Sequence, residues 1–278
     1  MLPATLTELV EYSRKHQVGV GMFNIVNLEF AQAIFNASQE TELPVMFGMP
    51  ERFILNYYSA ECMSLACKKM IEKAKAPVAI HLDHGKSFEG VMLALKAGFS
   101  SVMFDGSSRP YEENVEMTAQ IVKIAHAMGV SVEGELGYVG RVGVDENSED
   151  GFTKPEQAAD FVKRTGVDAL AIAIGNQHGQ YKGVPKLDFN RLEAIRSKVD
   201  CGLVLHGGSG IGNDDFVKAI RCGINKVNIY TAMDVAAKDF NKAHFADYSA
   251  YLDYTSGLTA VVQKVVREHM LLFASARK

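Results

Sequence analysis

The stretch PVAIHLDHGKSFEGVMLALKAGFSSVMFD, from Pro77 to Asp105, decides the fold. Its first run, Pro77–Leu82, is apolar, β-branched in part and too short for a helix, so it reads as a strand buried on both faces. Phe88–Ala97 then places apolar residues at helical spacing, and Ser100–Asp105 is a second buried run. Strand, helix and strand in that order form a parallel βαβ unit. The unit recurs in both directions. Apolar runs at Val18–Asn24, Pro44–Met49, Ser131–Leu136, Asp168–Ile174, Gly202–His206 and Lys226–Tyr230 bring the strands to eight. Helical periodicity covers Glu29–Glu40, Ala60–Lys75, Glu112–Met128, Pro155–Thr165, Phe189–Lys198 and Asp214–Cys222 between them. Leu6–Lys15 precedes the first strand, and Leu258–Ala274 closes the chain as an amphipathic helix. Eight alternations in a chain of this length predict a (β/α)8 barrel, one α/β domain over residues 1–278. A doubly wound open sheet is the alternative, and the even spacing of eight strands favours closure.

Two connections exceed what a barrel needs. Gly137–Thr153 is rich in Gly, Asp and Glu and reads as a mobile lid over the site. Lys238–Ser256 carries several aromatics and reads as a loop that packs.

The 278 residues are 47% hydrophobic and 22% charged, with 24 Gly, 7 Pro and a net charge of −4, which describes a soluble globular protein with a large core. No dense Lys/Arg cluster recommends a nucleic acid or an anionic membrane as partner. No run approaches the length of a membrane span, and the polar first fifteen residues do not resemble a secretory signal. Cys62, Cys67, Cys201 and Cys222 form no C-x-x-C pair and read as thiols in a reducing cytoplasm.

In such a barrel the functional residues lie at the C-terminal ends of the strands. There the chain sets Asn24, Met49, Asp83 with His84, Asp105, Glu135, His178, His206, and Asn228 with Thr231. One buried histidine is ordinarily a hydrogen-bonded core residue; three at convergent strand ends with carboxylates between them predict a metal site. Neutral imidazole suits zinc, and three protein ligands leave a position open for substrate. His81 is assigned a structural role, as are His16, His126, His244 and His269, which lie in helices or loops. Gly207-Gly-Ser-Gly210 follows the seventh strand and Asn228–Thr231 the eighth, where barrels build phosphate sites from backbone N–H groups and hydroxyls. Gly179 lets the backbone approach the same anion, or a bound monovalent cation such as Na+ or K+.

Read together, Gly21-Met-Phe-Asn24, His81-Leu-Asp-His-Gly85, Val132-Glu-Gly-Glu-Leu-Gly137, Thr165-Gly-Val-Asp-Ala-Leu-Ala171, His178-Gly-Gln-Tyr181, Leu205-His-Gly-Gly-Ser-Gly210 and Lys226-Val-Asn228 resemble the class II, zinc-dependent fructose-bisphosphate and tagatose-bisphosphate aldolases over nearly the whole chain. The resemblance implies reversible retro-aldol cleavage of a ketose (bis)phosphate to dihydroxyacetone phosphate and an aldehyde. It implies that His84, His178 and His206 bind zinc and that Asp83 is the acid/base on the hydroxyl. Asp105 and Glu135 match carboxylates beside the metal, able to hold an alternative zinc position. Gly179, Gly207, Gly208, Ser209, Asn228 and Thr231, with Asn24, match the substrate cradle. A homodimer or homotetramer follows too, with Leu258, Val261, Val262, Val265 and Val266 offering an apolar contact, unless that stripe covers the barrel instead.

Four places depart from the family pattern. The acid/base glutamate of the lid falls, ungapped, on Gly143; Glu146 and Glu149 are the substitutes, and Glu149-Asp-Gly151 best preserves the spelling. Met49 stands where relatives place a small hydroxyl residue that touches substrate. Tyr230, Ala232 and Met233 replace small or acidic residues around Thr231. No arginine occurs between Arg221 and Arg267, where relatives supply one to the distal phosphate; Lys238 and Lys242 offer a cation without a planar fork. These changes predict an aldehyde half other than glyceraldehyde 3-phosphate. A metal-dependent sugar-phosphate epimerase and a non-catalytic sugar-phosphate-binding barrel are the rival readings.

Overall fold

The computed structural model describes residues 1–137, 139, 151–179 and 185–277. Eight parallel strands, β1 (Val20–Asn24), β2 (Val45–Pro50), β3 (Val78–Gly85), β4 (Ser101–Phe104), β5 (Ser131–Leu136), β6 (Ala169–Ile172), β7 (Gly202–Leu205) and β8 (Ile224–Ile229), pair in sequence order. Closure comes from β8 pairing with β1, Met22 opposite Asn228. The chain is the expected (β/α)8 barrel.

Around it run α1 (Leu6–His16), α2 (Leu28–Thr41), α3 (Glu51–Asn56), α4 (Ala60–Ile71), α5 (Phe88–Lys96), α6 (Tyr111–Ala127), α7 (Pro155–Thr165), α8 (Phe189–Arg196), α9 (Asn213–Arg221), α10 (Thr231–His244) and α11 (Tyr251–Ala274). Strand side chains alternate between two environments. Those facing outward, such as Phe23, Phe47, Ile80, Leu82 and Val227, pack beneath the helices. Those facing inward are apolar at the N-terminal end, where Val20, Met22, Met46, Ala79, Met103, Ala169, Ala171 and Val204 meet Leu6, Leu9 and Val10 of α1. That helix starts sharply because the Thr5 side chain accepts the Glu8 N–H while the Glu8 carboxylate takes the Thr5 N–H. It plugs the lower end of the barrel. Toward the C-terminal end the inward positions turn polar: His81, Glu133 and Lys226 are fully buried, and above them come Asn24, Asp83, Asp105, Glu135, His206 and Asn228.

Three expectations change. Lys238–Ser256 is mostly helical, with α10 reaching His244 and α11 starting at Tyr251. Its aromatics are what fold it: the Phe240 and Tyr254 rings lie 5.7 Å apart and those of Tyr248 and Tyr254 5.9 Å, joining the two helices. The α11 stripe divides, Leu258, Val262 and Val266 being buried on the barrel with Met270 and Phe273 while Val261 and Val265 stay partly exposed. Met49 faces outward into the layer under the helices, and the inward position of β2 is Gly48, where a Cβ would collide with the Met22 sulfur.

Candidate active site

β3 carries Asp83 and His84 past the point where a regular strand would end. The β3–β4 register shifts between Leu82 and Gly85, and His84 takes a left-handed φ of 50°. A non-glycine residue held there costs on the order of 1–3 kcal/mol and persists only where its surroundings fix it. Here the Asp105 N–H donates to the Gly85 carbonyl at 2.7 Å, and the buried Glu51 carboxylate accepts the N–H groups of Lys86 and Ser87 at 2.8 and 3.1 Å together with the Ser87 hydroxyl. The turned backbone swings His84 over the barrel mouth. Its Nε2 comes to 3.2 Å from His206 Nδ1. Donor atoms of His84, His178 and His206 lie within 4.8 Å of one another, and the ring centroids of His84 stand 4.8 Å from both others. Tetrahedral zinc with bonds of about 2.0–2.1 Å needs its nitrogens about 3.3 Å apart, which the His84–His206 pair meets at 3.2 Å with His178 alongside.

His178 lies six residues beyond the end of β6, on a loop rather than at a strand tip. Asn176 holds that loop: its Oδ1 accepts the Ile174 N–H at 2.8 Å and its Nδ2 donates to the His206 carbonyl at 3.1 Å. Gly207, at φ 64°, lets the β7 loop press against the Gln177 carbonyl, which any Cβ would strike. Thus the two loops are locked edge to edge.

Asp83 is buried, and both its oxygens are held: Oδ2 accepts the Asn24 amide at 2.8 Å and Oδ1 the Asn228 amide at 3.1 Å. Burial alone would raise its pKa, but His84, His206, Lys226 and the Asn24 hydrogen bond together hold it below the ordinary value. Asp83 Oδ1 lies 3.9 Å from His84 Nε2. On the other side of His84, Nδ1 faces Asp105 Oδ2 at 3.6 Å, and Asp105 is fixed by the Ser107 hydroxyl at 2.6 Å and approached by Lys86 Nζ at 3.5 Å. Burial opposes a charge on His84, yet the neighbouring carboxylates of Asp83, Asp105 and Glu135 outweigh it and raise this pKa to about 9. His206, buried and facing His84, is pushed far the other way.

His84, Asp105 and Glu135 form a second group with metal-ligand spacing that shares His84 with the first. Glu135 Oε2 is buried with no hydrogen-bond partner among the described residues, and burial with the Asp105 charge raises its pKa to about 8. A buried carboxylate oxygen left without a donor is what a cation site presents. The residues present fit a divalent ion.

The phosphate segments also converge. Ser209 Oγ accepts the Ala232 N–H at 3.1 Å, bringing the loop after β7 onto the first turn of α10, with Thr231 as its first residue. The Gly208 N–H is spent on the Asn228 carbonyl at 3.2 Å. Gly179, at φ 103°, follows His178 directly. Glu149 and Glu146 lie outside the described residues. Sequence reasoning missed Asn176, Glu51, Glu133 and Lys226, and it gave His81 only a structural role. His81 is buried within the barrel, where its Nδ1 meets Ser101 Oγ at 2.8 Å.

The family model described as fructose-bisphosphate aldolase class-II matches residues 4–278. The chain is 43% identical over 244 residues to a fructose-bisphosphate aldolase of Staphylococcus epidermidis, covering 84% of this chain and 82% of that one. It is 43% identical over 242 residues to a fructose-bisphosphate aldolase of Geobacillus stearothermophilus, covering 86% and 83%. Among solved structures, the YdjI aldolase from Escherichia coli K12 superposes with a TM-score of 0.87 at 34% identity, over 98% of this chain and 97% of that one.

Proposed function

We propose, from the premise that this chain belongs to the class-II fructose-bisphosphate aldolase family, that His84, His178 and His206 hold a catalytic zinc ion and that Asp83 is the base. The protein is a class II aldolase, a carbon–carbon lyase of sugar-phosphate metabolism. The observation that carries the assignment of residues is the pairing of Asp83 with the imidazole cluster: a buried carboxylate, gripped by two amides, 3.9 Å from His84 Nε2.

Zinc bound there supplies a Lewis acid that polarises the ketone of the substrate. Asp83 takes the proton of the hydroxyl next to the bond that breaks. The hydroxyl oxygen becomes the aldehyde carbonyl, and the electron pair of the broken bond moves toward the ketone oxygen. Asn24 and Asn228 keep the Asp83 carboxylate turned to that hydroxyl; a second proton, from Glu149 with Glu146 as its alternate, goes to the carbon of the ketose half, and Asp83 gives up its own to solvent and Glu149 is reprotonated from solvent before the next cycle. Gly179, Gly207, Gly208, Ser209, Asn228 and Thr231 receive the phosphate end, Ser209 and Thr231 through hydroxyls and the glycines through close backbone approach. Asp105 and Glu135 hold an alternative position of the ion. A monovalent cation, Na+ or K+, would be held near Gly179 and offset the charge of the phosphate.

The substrate is a ketose phosphate whose aldehyde half differs from glyceraldehyde 3-phosphate. Met49 faces away and drops out of this argument, which rests on the lysines in place of the late arginine and on Tyr230, half-buried at the rim with Arg52 close enough to influence it. Retro-aldol assays across ketose mono- and bisphosphates test both claims. Triose phosphate release with a substrate other than fructose 1,6-bisphosphate preferred is expected; fructose 1,6-bisphosphate as the best substrate refutes the altered acceptor, and no triose from any refutes the residue assignment. No described helix is long and apolar enough to cross a membrane. We place the protein in the cytoplasm as a homodimer or homotetramer, whose contact would be the exposed Phe245, Tyr251 and Leu252 rather than the mostly buried α11 stripe.

A further inference from the structure

Directly beneath the proposed ligands the barrel interior holds a second charged assembly that the cleavage chemistry does not use. Glu133 and His81 are fully buried and Lys226 nearly so. Lys226 Nζ lies 2.8 Å from Glu133 Oε2 and 3.4 Å from His81 Nε2, while Glu133 Oε1 lies 2.9 Å from His206 Nε2. The direction of every hydrogen bond in this chain follows from what the groups can do. An ammonium only donates and an ionised carboxylate only accepts. Lys226 therefore donates to Glu133 and to His81 Nε2, which leaves the His81 proton on Nδ1, where Ser101 Oγ takes it at 2.8 Å. Glu133, accepting from Lys226, also accepts from His206 at the shorter distance of 2.9 Å, while the Asn228 amide nitrogen, 3.2 Å from Nε2 and 3.3 Å from Nδ1, donates to Asp83; this places the His206 proton on Nε2. Its Nδ1 then carries a lone pair, and Nδ1 is the atom that faces His84 at 3.2 Å.

We propose that Lys226 and Glu133 are positioning residues that fix His206 as the Nε2–H tautomer and so present Nδ1 to the metal. This rests on the zinc reading above but is separable from it, because the tautomer exists before any ion arrives. Orienting carboxylates behind a ligating imidazole set the ring's rotation and its basicity, and removing one costs about 10- to 100-fold in metal affinity. Lys226 supplies the buried carboxylate with the partner that an interior carboxylate requires. Glu133→Gln is the sharp variant. With its oxygen claimed by Lys226, the glutamine amide turns its N–H group to His206 Nε2, drives the ring proton to Nδ1 and blocks the ligand atom.

The test uses 15N-histidine-labelled full-length protein. Long-range 1H–15N spectra of the metal-free wild type, with His206 assigned by its loss in His206→Gln, should show the Nε2–H tautomer, and Glu133→Gln should show Nδ1–H. Chelator competition should weaken zinc binding of Glu133→Gln by about 10- to 100-fold, with a changed visible spectrum of the cobalt-loaded protein. An Nδ1–H tautomer in the wild type, or Glu133→Gln with wild-type affinity and spectrum, overturns the proposal. If Glu133→Gln does not fold, the wild-type tautomer decides alone. If the wild type takes up neither zinc nor cobalt, the zinc reading falls, and the tautomer still judges this inference.

Discussion

The two ends of the barrel interior are built from the same eight strands and have opposite characters. At the N-terminal end the inward side chains are Val20, Met22, Met46, Ala79, Met103, Ala169, Ala171 and Val204, sealed by Leu6, Leu9 and Val10. At the C-terminal end the same parity carries His81, Asp83, Asp105, Glu133, Glu135, His206, Lys226 and Asn228. One end earns its burial by the hydrophobic effect, each fully buried aliphatic side chain contributing about 1.5–3 kcal/mol. The other end buries charge, which is tolerated only because nearly every group has a partner. Stability and chemistry are thus separated along the strand axis, and substitutions at the two ends should fail in different ways.

The largest effect belongs to the mouth. Asp83→Asn keeps an oxygen for the Asn24 or Asn228 amide but cannot take a proton. It should lower kcat by about 10²- to 10⁴-fold with thermal stability little changed, read by triose release and a melting curve. A variant that melts early instead would show that Asp83 is structural. The floor should give the converse. Leu9→Ala empties a buried position of the plug and should cost about 2–5 kcal/mol in urea unfolding, while KM and zinc affinity stay at wild-type values. A loss of metal affinity with it would mean that the two ends are coupled. The smallest effect tests neither end but the outer layer. His269 of α11 packs against Phe216 and Phe273, and burial lowers its pKa below 6.5. The unfolded chain then binds more protons than the folded one below about pH 6.5, so stability falls as the pH drops through that value. Melting temperatures at pH 5 and 7.5 should differ less in His269→Gln than in the wild type.

Much of this contrast is legible in the sequence. Runs such as Pro77–Leu82 show burial on both faces without any knowledge of partners, and His84 and His206 sit at the ends of such runs, while His178 lies on the loop after one. Parity within a run is harder to read. Met49 was expected at the mouth, but only the β2–β3 register, with Gly48 opposite His81, shows that Gly48 is the inward residue. The Glu133–Lys226 pair joins positions 93 residues apart across a closed barrel, and local pattern cannot report it. His81 has the same difficulty, since its alternation with His84 is broken by the register shift before Gly85. The aromatics of Lys238–Ser256 signal packing, and a helix rather than a loop is what they build.

The left-handed turn at His84 has a consequence for how the site fills. Because Glu51 and the Gly85 pairing already hold that backbone in its costly shape, the imidazole stands in place before any ion approaches, and loading requires no slow rearrangement of the chain. Capture of the metal should follow simple second-order kinetics. The same turn narrows the evolutionary choices at position 84, since a β-branched residue would lose both the ligand and the backbone's tolerance, whereas asparagine would lose only the first.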